Sequence, residues 1–177
     1  NLPCGASDGV NIRDYKTAMT PPKWPSSLII VGSGAIGIEC ASFYNDLGVD
    51  VTIVEALPSI LPNEDTDISE IVKLNLEKRG IKIKTSSALK SVITKENSVS
   101  AEIITNQKIE TINSEKLILA IGIIANTEKL GLKDFNVKID NGHIVTNEFL
   151  ETDEKGVYAI GDITDGPWLA HKAQWIT

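Results

Sequence analysis

Gly32, Gly34 and Gly37 stand at the spacing G-x-G-x-x-G, between an apolar run and a segment of helical pattern. Eighteen residues beyond Gly37 stands Glu55, at the end of a second apolar run. Each residue type suits the recognition of a dinucleotide. Gly32 permits a tight turn, Gly34 lets the backbone approach a pyrophosphate, and Gly37 lets a helix pack closely on a strand. The helix N-terminus offers unpaired amides and a partial positive charge to the anion. A carboxylate at position 55 accepts hydrogen bonds from ribose hydroxyls and repels a 2′-phosphate. No arginine stands in "VEALPSILPNED" to welcome such a phosphate, so NAD is favoured over NADP. A dinucleotide site does not by itself specify a reaction.

The elements that must position these residues are legible in outline. Residues 28–32 and 49–55 read as buried parallel strands, separated by a helix with Ile36, Cys40, Phe43 and Leu47 on one face and Gly48 as its stop. A second helix over 65–80 has acids in its first turn, with Asp67 and Glu70 as a capping pair. Its expected inward stripe is Ile68, Ile71, Val72 and Leu76. A third strand follows at 81–84. The rhythm then changes to three short segments divided by Glu96-Asn97 and Asn106-Gln107, with Val99, Ala101 and Ile103 alternating. This pattern predicts an antiparallel meander in place of a covering helix. Residues 117–121 return as a buried strand, and 157–160 read as another.

The expected fold class is therefore α/β, a Rossmann-type doubly wound parallel sheet with an antiparallel β-meander as covering layer. The segment "TPPKWPSS" punctuates the chain before residue 28, and residues before it read as loops with one helical turn near 13–19.

Composition excludes several classes. The 177 residues carry 42% hydrophobic side chains and a net charge of −7. That balance suits a globular domain and opposes nucleic-acid binding, which needs a basic face. No apolar run approaches the ~20 residues needed to cross a bilayer. Cys4 and Cys40 form no redox or metal-binding spacing, Cys40 reads as a small buried hydrophobe, and no metal site is expected. A reducing, cytoplasmic compartment fits. The opening "NLPCG" lacks an initiator Met and reads as a piece of a longer protein.

"VGSGAIGIE", "VTIVE", "LILAIG…NT", "LGL" and "TDEKGVYAIGD…GPWLAHKA", taken together, resemble the pyridine-nucleotide disulfide oxidoreductases from about Leu2 to Ala173. Residues 152–162 match the family's second FAD fingerprint, T-x-x-x-G-x-Y-A-x-G-D. Within the family, "GPWLAHKA" is most similar to the flavoprotein component of 2-oxo acid dehydrogenase complexes. The resemblance implies NAD and FAD as cofactors, lipoyl domains of such a complex as partners, and a homodimeric parent. It implies a connecting segment at 1–27, an NAD-binding domain at 28–124, and a segment at 125–177 returning to an incomplete FAD domain.

Residue by residue, it implies that Gly32, Ser33, Gly34, Ala35, Ile36, Gly37, Ile38 and Glu39 line the NAD pyrophosphate site. Glu39 would approach the nicotinamide–flavin contact, and Glu55 would hold the adenosine ribose. Leu89 would flank the adenine and Gly122 would meet the nicotinamide half. Asp162 would bind the ribitol or phosphate part of FAD, with Trp168, Leu169, Ala170 and His171 beside the flavin.

After Gly122, where many members carry Arg-x-Pro-Asn, this chain has Ile123, Ile124, Ala125 and Asn126. Only a backbone contact from Gly122 is therefore implied there. The family's cysteine pair, four residues apart, and its catalytic His–Glu pair are absent from this sequence, so no catalytic residue is assigned. His143 reads as an exposed strand residue without a partner acid, and Asp162 alone would serve as well to cap the following segment. Two other functions fit the same motifs: a related NADH-dependent flavoprotein, such as a disulfide reductase or NADH oxidase, and a stand-alone NAD-binding module.

Overall fold

The computed structural model describes residues 7–175. Cys4 and Leu2, the first residue of the resemblance, lie outside them. The chain divides into two compact units, Asn1–Gly122 and Ile123–Thr177.

The first unit is built on a five-stranded parallel sheet. Its elements are β1 (Ile12–Arg13), α1 (Tyr15–Met19), β2 (Ser27–Val31), α2 (Ala35–Asp46), β3 (Asp50–Val54), α3 (Thr66–Lys78) and β4 (Lys82–Lys84). A meander of β5 (Ser87–Lys95), β6 (Ser98–Thr105) and β7 (Lys108–Ser114) follows, and then β8 (Lys116–Leu119). The sheet order is β1-β8-β2-β3-β4, with β2 paired along its length to both β3 and β8.

β2 reads SLIIV because both of its faces are covered. Leu28 and Ile30 join Val51, Ile53 and Ile118 under Ala41, Tyr44 and Leu76 of the helices. Ile29 and Val31 join Val54 and Leu117 under Val99, Ala101 and Ile103 of β6. The meander thus covers the face a second layer of helices would otherwise take. Its β6–β7 turn uses Asn106 and Gln107, both at positive φ (50° and 65°), as a two-residue hairpin of matching twist requires.

α2 and α3 end alike. Gly48 (φ +82°) donates to the Asn45 carbonyl and Val49 to that of Tyr44. Gly80 (φ +94°) donates to the Glu77 carbonyl and Ile81 to that of Leu76. Both are Schellman closures, for which glycine is the least strained residue.

Several sequence expectations need correction. The buried face of α2 is Gly37, Ala41 and Tyr44, while Phe43 and Leu47 are exposed. Small residues bring the helix down onto the sheet, so the stripe of large apolar residues points elsewhere. Ile36, Cys40 and Phe43 line an open groove of ≈ 410 Å³ together with Tyr15, Met19 and Glu39.

On α3, Ile68 and Ile71 are likewise exposed, and Ser69 and Leu76 are buried. Ser69 turns inward because its hydroxyl donates to the Leu61 carbonyl at 3.2 Å. Asp65 is the N-cap of α3 and makes no side-chain capping bond, so Asp67 and Glu70 do not form a capping pair.

Residues before the proline cluster contribute more than one helical turn. The Asp8 carboxylate accepts from the amides of Val10, Asn11 and Ile12 at 2.7–2.8 Å, and this turn delivers β1 to the edge of β8. Asp14 and Thr17 then cap α1 reciprocally. Trp24 packs edge-on to Phe43 and Tyr44, and the Tyr44 hydroxyl donates to the Ala18 carbonyl at 2.5 Å.

In the second unit, β9 (Ile139–Asp140) and β10 (His143–Ile144) form a hairpin around Asn141 and Gly142, and α4 (Lys172–Trp175) is short. Residues 157–160 do not form the expected buried strand. They make one isolated bridge, Tyr158 to Glu151, and only Ala159 is buried among them. No longer strand lies alongside to complete a ladder among the described residues.

Candidate functional site

The carboxyl ends of β2, β3 and β8 gather the glycine turn, Glu55 and Gly122 along one edge of the sheet. The chain leaves β2 in one direction and β8 lies on the other side. The edge between β2 and β8 is therefore the switch point at which open α/β sheets bind ligands.

The three motif glycines have different tasks. A Cβ on Gly32 (φ +100°) would collide with the Ala120 carbonyl group, 2.8 Å from its carbon. One on Gly37 would collide with the Gly32 carbonyl oxygen. These two let β2, α2 and β8 meet. A Cβ on Gly34 would meet nothing within 4 Å. Gly34 instead leaves an open approach to the start of α2. The first helical bond there runs from the Ile38 amide to the Gly34 carbonyl at 3.0 Å, so the amides of residues 34–37 precede the ladder. This cluster of donors at a helix N-terminus can hold an anion.

Glu55 is 7% exposed and firmly placed. Its amide donates to the Lys84 carbonyl and its carbonyl accepts from the Ser87 amide, each at 2.8 Å. Its Oε2 accepts from the Ser33 amide (2.8 Å) and hydroxyl (2.6 Å), and its Oε1 from the Leu57 amide (2.8 Å). An ionised carboxylate has about four acceptor positions, which leaves about one for a ligand hydroxyl. Sequence reasoning placed Ser33 with the pyrophosphate-lining residues. Its amide and hydroxyl are both bonded to Glu55, and its residue is fully buried. The only signal for this was a hydroxyl residue between the first two glycines.

Of the other residues in the motif, Ala35 and Glu39 are exposed, Ile36 lines the α1–α2 groove, and Ile38 packs against the helix-side core. Leu89 is half-buried on β5 against the meander-side core, two residues beyond the Ser87 amide that fixes Glu55. Gly122 has φ +127° and open space where a side chain would be. Ile123 and Ile124 are exposed and Ala125 is buried, so this loop carries no polar side chain where the family has arginine. Cys40 is half-buried. Burial pushes its thiol pKa up and the charge of Glu39 adds to this, which disfavours the reactive thiolate at neutral pH.

In the second unit, Asp162 is exposed in a single 3-10 turn, and Leu169, Ala170 and His171 are exposed in the segment before α4. Trp168 is half-buried, with its ring edge-on to His143 at 5.7 Å. These residues do not line the ≈ 340 Å³ hollow of this unit, which His143, Thr164, Asp165 and Lys172 help to bound. His143 lies on β10 as expected, but it is half-buried rather than exposed. Its Nε2 has no hydrogen-bond partner among the described residues.

A doubly wound parallel sheet with this turn and carboxylate defines the class of dinucleotide-binding α/β domains. Residues 5–176 match the model of the pyridine nucleotide-disulphide oxidoreductases, and the chain belongs to that family. It is 45% identical over 174 residues to dihydrolipoyl dehydrogenase of Rhizobium etli, covering 98% of this chain and 36% of the relative. It is 45% identical over 173 residues to dihydrolipoyl dehydrogenase of Zymomonas mobilis, covering 97% and 37%.

Among solved structures it matches LpdA from Mycobacterium tuberculosis with a TM-score of 0.86 at 28% identity, over 99% of this chain and 38% of that one. It matches the HOCl-induced flavoprotein disulfide reductase RclA from Escherichia coli with a TM-score of 0.87 at 25% identity, over 99% and 39%. The chain thus spans little more than a third of the length of these proteins.

Proposed function

We propose that the chain is the central, NAD-binding portion of a flavin-dependent dihydrolipoyl dehydrogenase, which converts dihydrolipoamide and NAD⁺ to lipoamide, NADH and a proton. The observation that carries this reading is the placement of Gly34, the leading amides of α2 and the Glu55 carboxylate at one switch point. The amides hold the pyrophosphate, the free acceptor position of Glu55 takes a ribose hydroxyl, and Gly122 admits the nicotinamide half without a side chain in its way. NAD, when bound, supplies the hydride acceptor. The chain's own residues bind and orient it.

The relatives at 45% identity support dihydrolipoamide as the substrate of the full protein. The same reading makes FAD its second cofactor, with Asp162 and residues 168–171 beside it. Lipoyl domains of a 2-oxo acid dehydrogenase complex are its partners, a homodimer its assembly and the cytoplasm its compartment. The chain's two cysteines, Cys4 and Cys40, do not form the family's closely spaced pair. NAD(H) or ADP-ribose binding without dehydrogenase turnover is therefore expected of the chain itself.

Calorimetric titration with NADH tests this, and no binding up to millimolar concentration would refute it. Glu55→Ala is expected to weaken NADH at least tenfold, as loss of a charged hydrogen-bond partner does. Glu55→Arg is expected to move the preference toward NADPH, and an unchanged preference would refute the ribose assignment. The fold shared with RclA favours a second reading, a related NADH-dependent disulfide reductase. Turnover of the full-length protein with dihydrolipoamide, compared with other dithiol and disulfide substrates, separates the two.

A further inference from the structure

We propose that Ser33 is a positioning residue that fixes the Glu55 carboxylate and thereby sets the preference for NADH over NADPH; this rests on the assignment of Glu55 to the ribose. Ser33 is fully buried, so its side chain acts through another group and not by touching a ligand. That group is Glu55, whose Oε2 takes the Ser33 hydroxyl at 2.6 Å and the Ser33 amide at 2.8 Å. The Leu57 amide holds Oε1 at 2.8 Å. The Ser33 carbonyl in turn accepts from the Leu61 amide at 2.9 Å, so this residue ties the glycine turn to the loop after Glu55.

The backbone of Glu55 is pinned between β4 and β5, and its side chain keeps one soft torsion near the carboxylate. Three bonds restrict that freedom, and the shortest of them comes from the Ser33 hydroxyl. With Oε2 saturated, the one acceptor position left faces a fixed direction, and a ribose hydroxyl finds it already oriented. A 2′-phosphate meets a negative charge that cannot swing aside. Without the hydroxyl, the carboxylate is held only by the Ser33 and Leu57 amides, its orientation loosens, the ribose meets a less sharply oriented acceptor, and the phosphate is repelled less.

The test is fluorescence titration of the chain with NADH and with NADPH for the wild type, Ser33→Ala, Glu55→Ala and the double variant. Ser33→Ala is expected to weaken NADH about five- to tenfold and to lower the NADH-to-NADPH preference by a similar factor. In the Glu55→Ala background, Ser33→Ala is expected to change the preference no further, because the two act as one unit. A buried position can tolerate alanine poorly, so Ser33→Gly, which removes the hydroxyl and cannot overpack, is measured beside it. An undiminished preference in the folded single variants overturns the proposal. So does an equal loss from Ser33→Ala when Glu55 is already alanine. A wild-type chain that does not bind NADH refutes the ribose assignment itself. A wild type that binds and prefers NADH while Ser33→Ala keeps that preference refutes only the role of Ser33.

Discussion

In the unit Asn1–Gly122, β2 lies between two apolar cores, and eleven of the side chains that fill them are fully hidden leucine, isoleucine and valine. In the unit Ile123–Thr177, the buried apolar side chains among the described residues are Ala125, Ile144 and Ala159, and Thr127, Thr164 and Lys172 are buried beside them. The second unit is held by single polar bonds. The Thr127 hydroxyl donates to the Gly142 carbonyl at 3.1 Å. Lys172 Nζ donates to the carbonyls of Thr164 (3.1 Å) and Asp165 (2.6 Å), and Lys138 pairs with Asp153 at 2.6 Å. Apolar burial contributes about 25 cal/mol per Å², in every direction at once, whereas each such bond contributes about 1 kcal/mol net. The candidate site on the first unit therefore stands on a rigid platform, and the FAD-fingerprint residues of the second do not.

The largest expected difference is in amide exchange. Amides of β2, β3 and β8 should be protected at least ~1000-fold more than those of residues 139–144 and 157–164, because local opening needs little apolar exposure there. Uniformly slow exchange across 125–177, read by mass spectrometry, would break the comparison. Next comes the glycine turn, where packing and binding separate. Gly37→Ala drives a Cβ into the Gly32 carbonyl and should cost roughly 3 kcal/mol or more in urea unfolding. Gly34→Ala meets no neighbour and should cost at most about 1 kcal/mol, yet weaken NADH severalfold by filling the approach to the helix amides.

Smaller again is the contrast between equivalent core truncations. Ile30→Ala, in the middle of the helix-side core, should destabilise its unit by about 3–5 kcal/mol, and Ile144→Ala its own by about 2 kcal/mol. Limited proteolysis of each unit reads the two separately.

The smallest effects are those of pH, and they have opposite signs in the two units. The Ser26 amide holds the Glu115 carboxyl below its ordinary pKa, so this tie to β2 is complete above the usual carboxylate range. It is lost as pH falls through the lowered value. The Asp153 carboxylate bonded to Lys138 holds that ammonium above its ordinary pKa. The stability it contributes is complete below the usual lysine range and is lost as pH rises through the raised value. Acid should therefore loosen exchange near Ser26 first, and alkali near Lys138. Both pairs are largely exposed, so both effects should fade in high salt.

Much of the platform was legible in the chain. SLIIV, DVTIV and KLIL are apolar on both faces, as only strands of a doubly covered sheet can be, and Val99, Ala101 and Ile103 announced the meander by alternating. Helix faces were less legible. Hydrophobicity marks Phe43, Leu47, Ile68 and Ile71, whereas close approach to the sheet selects Gly37 and Ala41 by their small size, and a bond to the Leu61 carbonyl turns Ser69 inward. The strand β1 was hidden because two residues delivered by an Asp8 turn leave no periodicity to read.

The sequence by itself determined the order of strands and helices between residues 28 and 121, the turn residues that stop them, and the two ends of the candidate site, the glycine spacing and Glu55. These depend on local chemistry: which residues tolerate positive φ, which periodicity buries apolar groups, and where a carboxylate follows a strand. Only the tertiary structure decided that Ser33 turns inward to grip Glu55, that Gly37 and Ala41 rather than Phe43 and Leu47 face the sheet, and that residues 157–160 stay out of a sheet. Each of these outcomes depends on which backbone lies within bonding distance, and that is settled by elements far apart in the chain.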